Sequence, residues 1–257
     1  MPESSPAVIC SQEGSLTVLR MQGRHGNAIN LDLMDGLGAA LQEARRNSSI
    51  KGVLLASASK LFCPGLDLPE LIDLDRPAME RFMARFTGLV LDLCSFPRPL
   101  VAAVSGHAVA GGCVLALTAD WRILRSGSRI GLHEVQVGVP LPFEVTLLLR
   151  AAVNGNHLSE IALLGRDFTG EDARQAGLVQ EVHDPEGFEA HCLARLEEFA
   201  EKNSEALATT KRYLRASLLE SMRAEAEAHR AEFLDGWFAP DARRRAAAIA
   251  AGLGKRG

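Results

Sequence analysis

One glutamate stands in surroundings that favour acid–base chemistry. Glu134 lies between the apolar runs "RIGL" and "VQVGV". A carboxylate among apolar side chains is costly unless it is mostly neutral or has a chemical task. Burial there raises a carboxyl pKa toward neutrality, which lets one group take up a proton and return it. The pattern indicates Glu134 as a candidate general base.

Two other ionisable residues near Glu134 are weaker candidates. His133 is its direct neighbour, and adjacent residues on an extended chain point to opposite faces, so we expect His133 to support the site or to lie at the surface. Glu144 follows Pro142 at the start of a predicted helix, where the helix dipole alone favours a carboxylate. We therefore rank Glu144 well below Glu134.

Two glycine-containing turns offer backbone amides to a ligand. In "AVAGGCVLALTAD" the pair Gly111-Gly112 precedes a predicted buried helix, whose first N–H groups lack internal acceptors. In "ASASKLFCPGLDL" the chain turns at Pro64-Gly65 where a predicted strand ends, and Asp67 is placed to cap the next helix. Taken alone, the glycine pair is better explained by close helix packing, and the Pro64-Gly65 turn by a plain β-to-α connection.

The surrounding pattern predicts an α/β fold. Four apolar runs indicate strands, and they are separated by helical patterns, including one that Asn30 caps and one from Pro77 to Cys94. These strands are "SLTVLRM", "GVLLASAS", "PLVAAVSG" and "GLVQEVHDP". After Pro185 only helices rich in Ala, Glu and Arg are predicted. We expect an α/β core over residues 1–185 and a helical region over 186–257.

Composition excludes several classes of partner. The 257 residues are 47% hydrophobic and carry a formal net charge of −4, which disfavours nucleic acid and anionic membranes as partners. The five cysteines show no CxxC and no metal-ligand spacing, so neither a disulfide framework nor a metal site is predicted. The first residues lack the features of a signal peptide, and no apolar run approaches a membrane span. We expect a cytoplasmic protein.

An ordered set of segments resembles the crotonase superfamily, the enoyl-CoA hydratases and isomerases. The segments are "NAIN", "SKLFCPGLDL", "SGHAVAGGCVLALTADWRIL", "RIGLHEVQVGV" and "LLGRDFTGEDARQAGLVQEV", and the match runs from about Ser15 to Glu181. The resemblance implies a spiral of ββα units with a C-terminal helical trimerisation region, assembled as a homotrimer or a dimer of trimers. It also implies an acyl-CoA thioester substrate, with CoA belonging to the substrate and no separate cofactor or metal.

Residue by residue, the resemblance implies a catalytic set and a substrate-binding set. Glu134 matches a catalytic carboxylate, and Cys63 and Gly111 are the positions whose amides we expect to hold the thioester oxygen. The residues expected near the CoA moiety or the acyl group are Arg24, Ala28, Pro64, Gly65, Leu66, Asp67, Leu68 and Val114. Arg24 is the candidate phosphate partner, and we expect the Cys63 thiol to be chemically idle.

One departure from the hydratase pattern favours an isomerase. Hydratases of this superfamily carry a second carboxylate three residues beyond the oxyanion glycine, and Val114 occupies that position here. "VAGGCVLAL" and "GLHEVQVGV" are similar to the Δ3,Δ2-enoyl-CoA isomerases. A single carboxylate suits proton transfer, whereas water addition needs a second group to position the water.

Other interpretations remain open at this point. A hydratase, or another reaction on a CoA thioester, is the nearest alternative, and a non-catalytic binding or scaffold protein is the alternative of a different class. RNA binding is disfavoured by the acidic balance despite the basic "DARRR". A serine-hydrolase interpretation fails locally, because Ser105 and His107 are two residues apart with no identifiable acidic partner.

Overall fold

The strands of the protein are short and mostly buried. A computed structural model describes residues 5–254 of the 257, so the outermost ends of both predicted regions lie outside the described residues. The strands are β1 (Val8–Glu13), β2 (Leu16–Met21), β3 (Gly52–Ser57), β4 (Leu100–Val104), β5 (Ala108–Val109), β6 (Trp121–Arg125), β7 (Arg129–Gly131), β8 (Phe168–Thr169) and β9 (Glu181–His183).

Helices connect these strands and make up the C-terminal part of the chain. They are α1 (Arg24–Asn27), α2 (Leu31–Arg46), α3 (Leu68–Leu71), α4 (Arg76–Cys94), α5 (Gly111–Leu117), α6 (Phe143–Ala152), α7 (Leu158–Ala162), α8 (Gly170–Gln175), α9 (Phe188–Ala200), α10 (Ser204–Phe238) and α11 (Pro240–Gly254). Short 3-10 turns span Glu134–Val137 and Gly155–His157. Asn30 caps α2 as predicted, since its side chain accepts a hydrogen bond from the Leu33 N–H at 3.0 Å.

Six strands form the main sheet in the order β1-β2-β3-β4-β6-β9. β1 pairs antiparallel with β2 at one edge, and every other pair in this sheet is parallel. Parallel strands need crossover connections, and the helices between them supply these connections. The predicted α/β class is confirmed. The antiparallel edge strand β1 was not predicted, because most of its residues are exposed and show no apolar pattern.

Both faces of the main sheet are covered by helices. On one face, alternate strand residues such as Val53 and Leu55 join a large core that includes α2, α4, α5 and α6. On the other face, Leu54 and Ala56 pack against α9 through side chains such as Leu196. This double cover explains why the strands read as continuous apolar runs rather than alternating ones.

The helical region after Pro185 packs against the α/β core of its own chain and also forms part of the protein surface. The long helix α10 packs against α4 and α6, and α11 folds back onto α3 and the turn that begins at Glu134. Large apolar residues of the region expected to trimerise fall into two groups. Phe233 and Trp237 are each only 4% exposed and lie in the core of their own chain, whereas Leu214 is 79% exposed. Within residues 5–254, no helix is both long and apolar enough to cross a membrane.

The start of α5 lies unusually close to the preceding loop. A Cβ atom added to Gly112 would overlap the Cys63 carbonyl oxygen and would lie 2.7 Å from the Cys63 carbonyl carbon. A backbone carbonyl cannot move aside as the end of a flexible side chain can. Gly112 is therefore required by the close approach of two backbone segments.

This contact predicts opposite effects for two glycine-to-alanine substitutions. G112A forces the loop at Cys63 away from α5, and we expect it to lower the free energy of unfolding by about 2 kcal/mol or more, as overpacking does. Gly38 lies inside α2 with nothing within 4 Å of an added Cβ, so G38A gains about 0.5–1 kcal/mol from helix propensity. Denaturant unfolding measures both changes, and equal stability of the two variants would contradict the close approach.

Candidate active site

Three short parallel segments end at one place and carry the predicted site residues. Cys63 forms a parallel bridge with Ala108 of β5, and β5 pairs parallel with β7. Because parallel segments point the same way, their carboxyl ends meet at a common edge. Beyond that edge the first segment leads to Gly65, the second to Gly111 and the third to Glu134. A hydrogen bond from the Ala110 N–H to the Gly131 carbonyl, 2.8 Å long, ties the last two together.

Glu134 carries a buried carboxylate oxygen without a partner. The residue as a whole is half-buried, but its Oε2 atom is buried and makes no hydrogen bond among residues 5–254. Burial raises the pKa of Glu134 to about 7, against a smaller lowering by the backbone amides of Glu134 and His133. An acid with a pKa near 7 and a free buried oxygen is suited to accept a proton and return it.

The loop that contains Gly65, Leu66 and Asp67 pairs through its backbone with Ile29, and this pairing decides which amide of the loop is free. The Ile29 N–H donates to the Gly65 carbonyl at 2.7 Å, and the Asp67 N–H donates to the Ile29 carbonyl at 3.0 Å. Successive amides of an extended chain alternate in direction, so the Leu66 N–H between them points away from Ile29. Within the described residues, neither Leu66 nor Gly111 donates a backbone hydrogen bond.

The expectation for Cys63 needs correction. Its N–H donates to the carbonyl of His107 at 3.2 Å, so this amide is already engaged in the pairing that holds the loop beside β5. Leu66, predicted only as a residue near the CoA moiety, supplies the free amide of the loop. The sequence alone does not show that the Leu66 amide, and not the Cys63 amide, is free, because this depends on which residues pair with Ile29.

Gly65 and Gly111 bring the two free amides onto adjacent segments. A Cβ added to Gly111 would lie 3.7 Å from the carbonyl carbon of Gly65, the atom bonded to the Leu66 nitrogen. Gly65 has φ 98°, a left-handed conformation that glycine adopts without strain, and Ala110 before Gly111 has φ 49° and ψ −126°. Strain of this kind in a non-glycine residue costs about 1–3 kcal/mol and is typical of functional sites.

The cysteines near the site are poor nucleophiles. Burial raises the pKa of the Cys63 thiol to about 12. Burial, with a smaller contribution from the charge of Glu134, also raises the pKa of the Cys113 thiol. The thiolate is the reactive form, so both groups are inert near neutral pH.

His133 and Glu144 make contacts away from the free amides. His133 Nε2 lies 2.5 Å from the Oδ1 atom of Asp167, and the Oδ2 atom of the same carboxylate pairs with Arg129. Glu144 is buried at the start of α6, where it accepts a hydrogen bond of 2.6 Å from the Thr87 hydroxyl on α4. The sequence predicted a site-supporting or surface role for His133, and its contact with Asp167 agrees with that role.

The remaining predicted residues surround the loop in different ways. Val114 lies in the first turn of α5 and is buried. Ala28 is buried beside Ile29, and Leu68 opens α3 directly after the Gly65–Asp67 segment. The Arg24 side chain is 73% exposed, with Nη2 3.8 Å from Glu70 Oε2, so it lies at the surface of this region.

Asp67 does not cap α3 with its side chain. Its carboxylate is fully buried and faces His25 Nδ1, at 3.0 Å and 3.1 Å from its two oxygens, and more distantly Asn30 Nδ2 at 3.5 Å. No motif in the sequence pointed to His25 as a site residue. The run His25-Gly26-Asn27, made of residue types that tolerate left-handed backbone, was the available signal for a turn there.

Asn27 fixes the loop that precedes Cys63. Its Nδ2 donates to the Ser57 hydroxyl at 2.7 Å and to the Phe62 carbonyl at 3.0 Å, and Ser57 in turn donates to the Leu61 carbonyl at 2.6 Å. Buried polar groups that are joined in this way rigidify a loop. Among residues 5–254 there is no group of three or more His, Cys, Asp or Glu side chains placed to hold a metal ion.

Comparison with known proteins identifies the family and the fold. A family model described as enoyl-CoA hydratase/isomerase matches residues 11–249. The fold is similar to that of the human mitochondrial Δ3-Δ2-enoyl-CoA isomerase, with a TM-score of 0.92 and 24% identity over 97% of this chain and 99% of that one. The spiral fold of the crotonase superfamily, predicted from the motifs, is confirmed.

Two mycobacterial structures are more similar in sequence. A Mycobacterium tuberculosis enoyl-CoA isomerase is 27% identical, with a TM-score of 0.83 over 90% of this chain and all of the other. A Mycobacterium ulcerans enoyl-CoA hydratase is also 27% identical, with a TM-score of 0.83 over 88% of this chain and 99% of the other. The family match covers most of the chain, and the chain belongs to the enoyl-CoA hydratase/isomerase family.

Proposed function

We propose that this protein moves the double bond of a 3-enoyl-CoA to give the 2-enoyl-CoA. The observation that carries the proposal is one buried carboxylate with a pKa near 7 at the same strand edge as two unpaired amides. The amides suit a developing negative charge on oxygen, and the carboxylate suits proton transfer on carbon. CoA is part of the substrate, and the reaction uses neither a further cofactor nor a metal.

The reaction proceeds by removal and return of one proton. The thioester oxygen accepts hydrogen bonds from the Leu66 and Gly111 amides, and the Glu134 carboxylate removes a proton from C2. The C2–H electron pair enters a dienolate, whose charge rests on the held oxygen. Glu134, now protonated, delivers the proton to C4, and the C3–C4 double bond becomes a C2–C3 double bond. Atoms and charge balance without any other reactant.

Val114 favours isomerisation over hydration. Water addition needs one group that positions and deprotonates the water and another that delivers the α-proton. Val114 is an apolar residue on the first turn of the Gly111 helix, and it can do neither. The names of the related proteins include both hydratases and isomerases, so the choice between these reactions rests on this residue.

The surface beside the two amides suits the CoA part of the substrate. By similarity to the family, the backbone of Leu66 to Leu68 lies near the adenine, and the segment from Arg24 to Ala28 lies near the pantetheine and the phosphates. Arg24 is mostly exposed, which leaves its guanidinium accessible to a phosphate group.

The proposed mechanism predicts a large effect of removing the carboxylate. E134Q keeps the size of the side chain but cannot take up the C2 proton, so we expect kcat for a 3-enoyl-CoA to fall at least about a hundredfold while CoA-ester binding stays nearly unchanged. In the parent enzyme, kcat/KM rises as pH increases through about 7, because the carboxylate form is the base. Steady-state kinetics across pH measures both effects.

A matched substitution tests whether the effect is specific to Glu134. E144Q changes the other buried glutamate of this region, which accepts its hydrogen bond from Thr87, and we expect it to keep kcat within a fewfold of the parent. Turnover by E134Q comparable to that of the parent enzyme would overturn the role of Glu134.

Substitution of Val114 tests the choice between isomerisation and hydration. V114E places an acid on the first turn of α5, and we expect it to introduce slow water addition to a 2-enoyl-CoA. The gain is small, because a second carboxylate near Glu134 raises one of the two pKa values by repulsion. V114Q, which has the same size but no acid, gains no hydration. Ultraviolet detection of 2-enoyl-CoA consumption measures both variants.

The unmodified protein provides the decisive measurement of the reaction. An acyl-CoA panel is assayed for isomerisation and hydration together. Conversion of a 3-enoyl-CoA with little hydration of crotonyl-CoA is the expected result. Robust hydration of crotonyl-CoA without conversion of 3-enoyl-CoA would overturn the proposal and leave the second catalytic role to another acid such as Glu144.

We further propose that the protein is a homotrimer or a dimer of trimers. An apolar open cleft of about 640 Å³ runs along the first half of α10, and Leu214 and Tyr213 on this helix are 79% and 67% exposed. The cleft is lined in part by Pro99, Trp121 and Phe199. Large apolar side chains exposed together are typical of interaction surfaces.

Light scattering tests the assembly. We expect a mass of three or six times the 27.6 kDa of the chain. L214D introduces a charge into the apolar cleft and should shift the population toward smaller species. L164D changes an equally exposed leucine, 68% exposed, that does not line the cleft, and it should leave the mass unchanged. A monomer of the parent protein at working concentration would contradict the proposal.

A further inference from the structure

Asp67 presents a buried carboxylate directly after the free Leu66 amide. Its side chain is 0% exposed, and both oxygens lie within 3.1 Å of His25 Nδ1. Burying a carboxylate is costly unless hydrogen-bond donors satisfy it. His25 provides the close donor and Asn30 a more distant one at 3.5 Å, so the position of Asp67 depends mainly on the imidazole.

The segment that contains His25 and Ile29 also forms backbone hydrogen bonds on both sides of Leu66. Ile29 accepts from the Asp67 N–H and donates to the Gly65 carbonyl, at 3.0 Å and 2.7 Å. These two bonds fix the peptides that flank Leu66 and leave its own N–H free. The His25–Asp67 contact is a side-chain bond between the same two segments, one residue beyond the free amide.

The short element α1 is a left-handed turn rather than a regular α-helix over His25–Asn27, and this turn places His25 beside Asp67. His25, Gly26 and Asn27 have φ values of 51°, 73° and 71°, so two non-glycine residues adopt a conformation that is rare for them. Asn27 anchors the turn through Ser57 and Phe62. Strained turns persist only where the surrounding contacts over-determine them.

We propose that His25 is a positioning residue that acts through Asp67 to hold the Leu66 amide in the direction of the thioester oxygen. The inference rests on the proposed function, because that function gives the amide its task. His25 touches neither the reacting carbons nor the thioester oxygen in this scheme. Amides stabilise a developing oxyanion only when they are preorganised. We therefore expect His25 to affect the rate of the chemical step and the polarisation of the thioester carbonyl.

Two substitutions separate the hydrogen bond from the backbone conformation. H25G removes the donor, while glycine adopts the left-handed conformation without strain. H25N retains a donor, since the asparagine amide nitrogen can occupy the position of Nδ1, and asparagine also tolerates this conformation. We expect H25G to lower kcat about tenfold to a hundredfold with KM changed less than threefold, and H25N to restore kcat to within about threefold of the parent.

A second histidine–carboxylate pair is the matched control. His191 on α9 lies 2.7 Å from Glu181 of β9, and both His191 and His25 are partly exposed, but the His191 pair holds no part of the loop. We expect H191A to leave kcat and KM within twofold of the parent. A loss of kcat in H191A equal to that in H25G would assign the effect to general destabilisation and would overturn the positioning role.

A spectroscopic readout reports the amides directly. Butanoyl-CoA labelled with ¹³C at the thioester carbonyl has no double bond to move, and difference infrared spectra give its C=O stretching frequency when bound. We expect a shift to lower frequency in the parent protein and in H25N, and a smaller shift in H25G. Equal shifts in parent and H25G, with equal kcat, would overturn the inference.

The results that would overturn the proposed function differ from those that would overturn the role of His25. A parent protein that shifts the bound carbonyl but does not convert 3-enoyl-CoA would overturn the isomerase proposal, while a weaker shift in H25G would still support the role of His25. An active parent whose H25G variant is unaffected in both kcat and carbonyl shift would overturn the role of His25 alone.

Discussion

The close approach of two backbones at Gly112 and Cys63 is the constraint on which the site depends. It sets the start of α5 directly against the loop that leads to Leu66, so two amides from distant parts of the chain lie on neighbouring segments. Only glycine fits at position 112, because any Cβ atom there would overlap the Cys63 carbonyl oxygen. The glycine pair therefore has two tasks: Gly112 permits the contact, and Gly111 presents an unpaired N–H beside Gly65.

Burial gives Glu134 its chemical character, and the C-terminal helix α11 packs against the 3-10 turn that begins at Glu134. Ala242 of α11 lies against Gly138, 3.6 Å from where a Cβ of that glycine would be, and Arg245 donates to the Gln136 carbonyl at 3.2 Å. The 3-10 turn of Glu134 is thus covered by the protomer's own tail. A raised carboxyl pKa follows from desolvation at this turn.

The sequence predicted the parts of the fold that follow from periodicity and local chemistry. The four predicted strands correspond to β2, β3, β4 and β9, and the Asn30 cap, the helix up to Cys94 and the helical region after Pro185 also agree with the structure. The strands β5, β6, β7 and β8 were not predicted. β5, β7 and β8 have two or three residues each and lie in no longer apolar run, whereas the equally short β9 belongs to the apolar segment "GLVQEVHDP". In β6, Arg122 and Arg125 interrupt the apolar pattern. The direction of the Leu66 amide and the His25–Asp67 contact depend on pairing between residues about forty positions apart, which no local pattern reports.

The helical tail has two roles, whereas the sequence motifs implied only one of them, trimerisation. Phe233 and Trp237 of α10 are buried in their own protomer and α11 lies over the Glu134 turn, whereas Leu214 and Tyr213 point to solvent on the first half of α10. The turn that carries the base is therefore in contact with the tail of its own chain. Assembly through the exposed half of α10 would add neighbours to the apolar cleft without changing the contacts of α11 with the Glu134 turn.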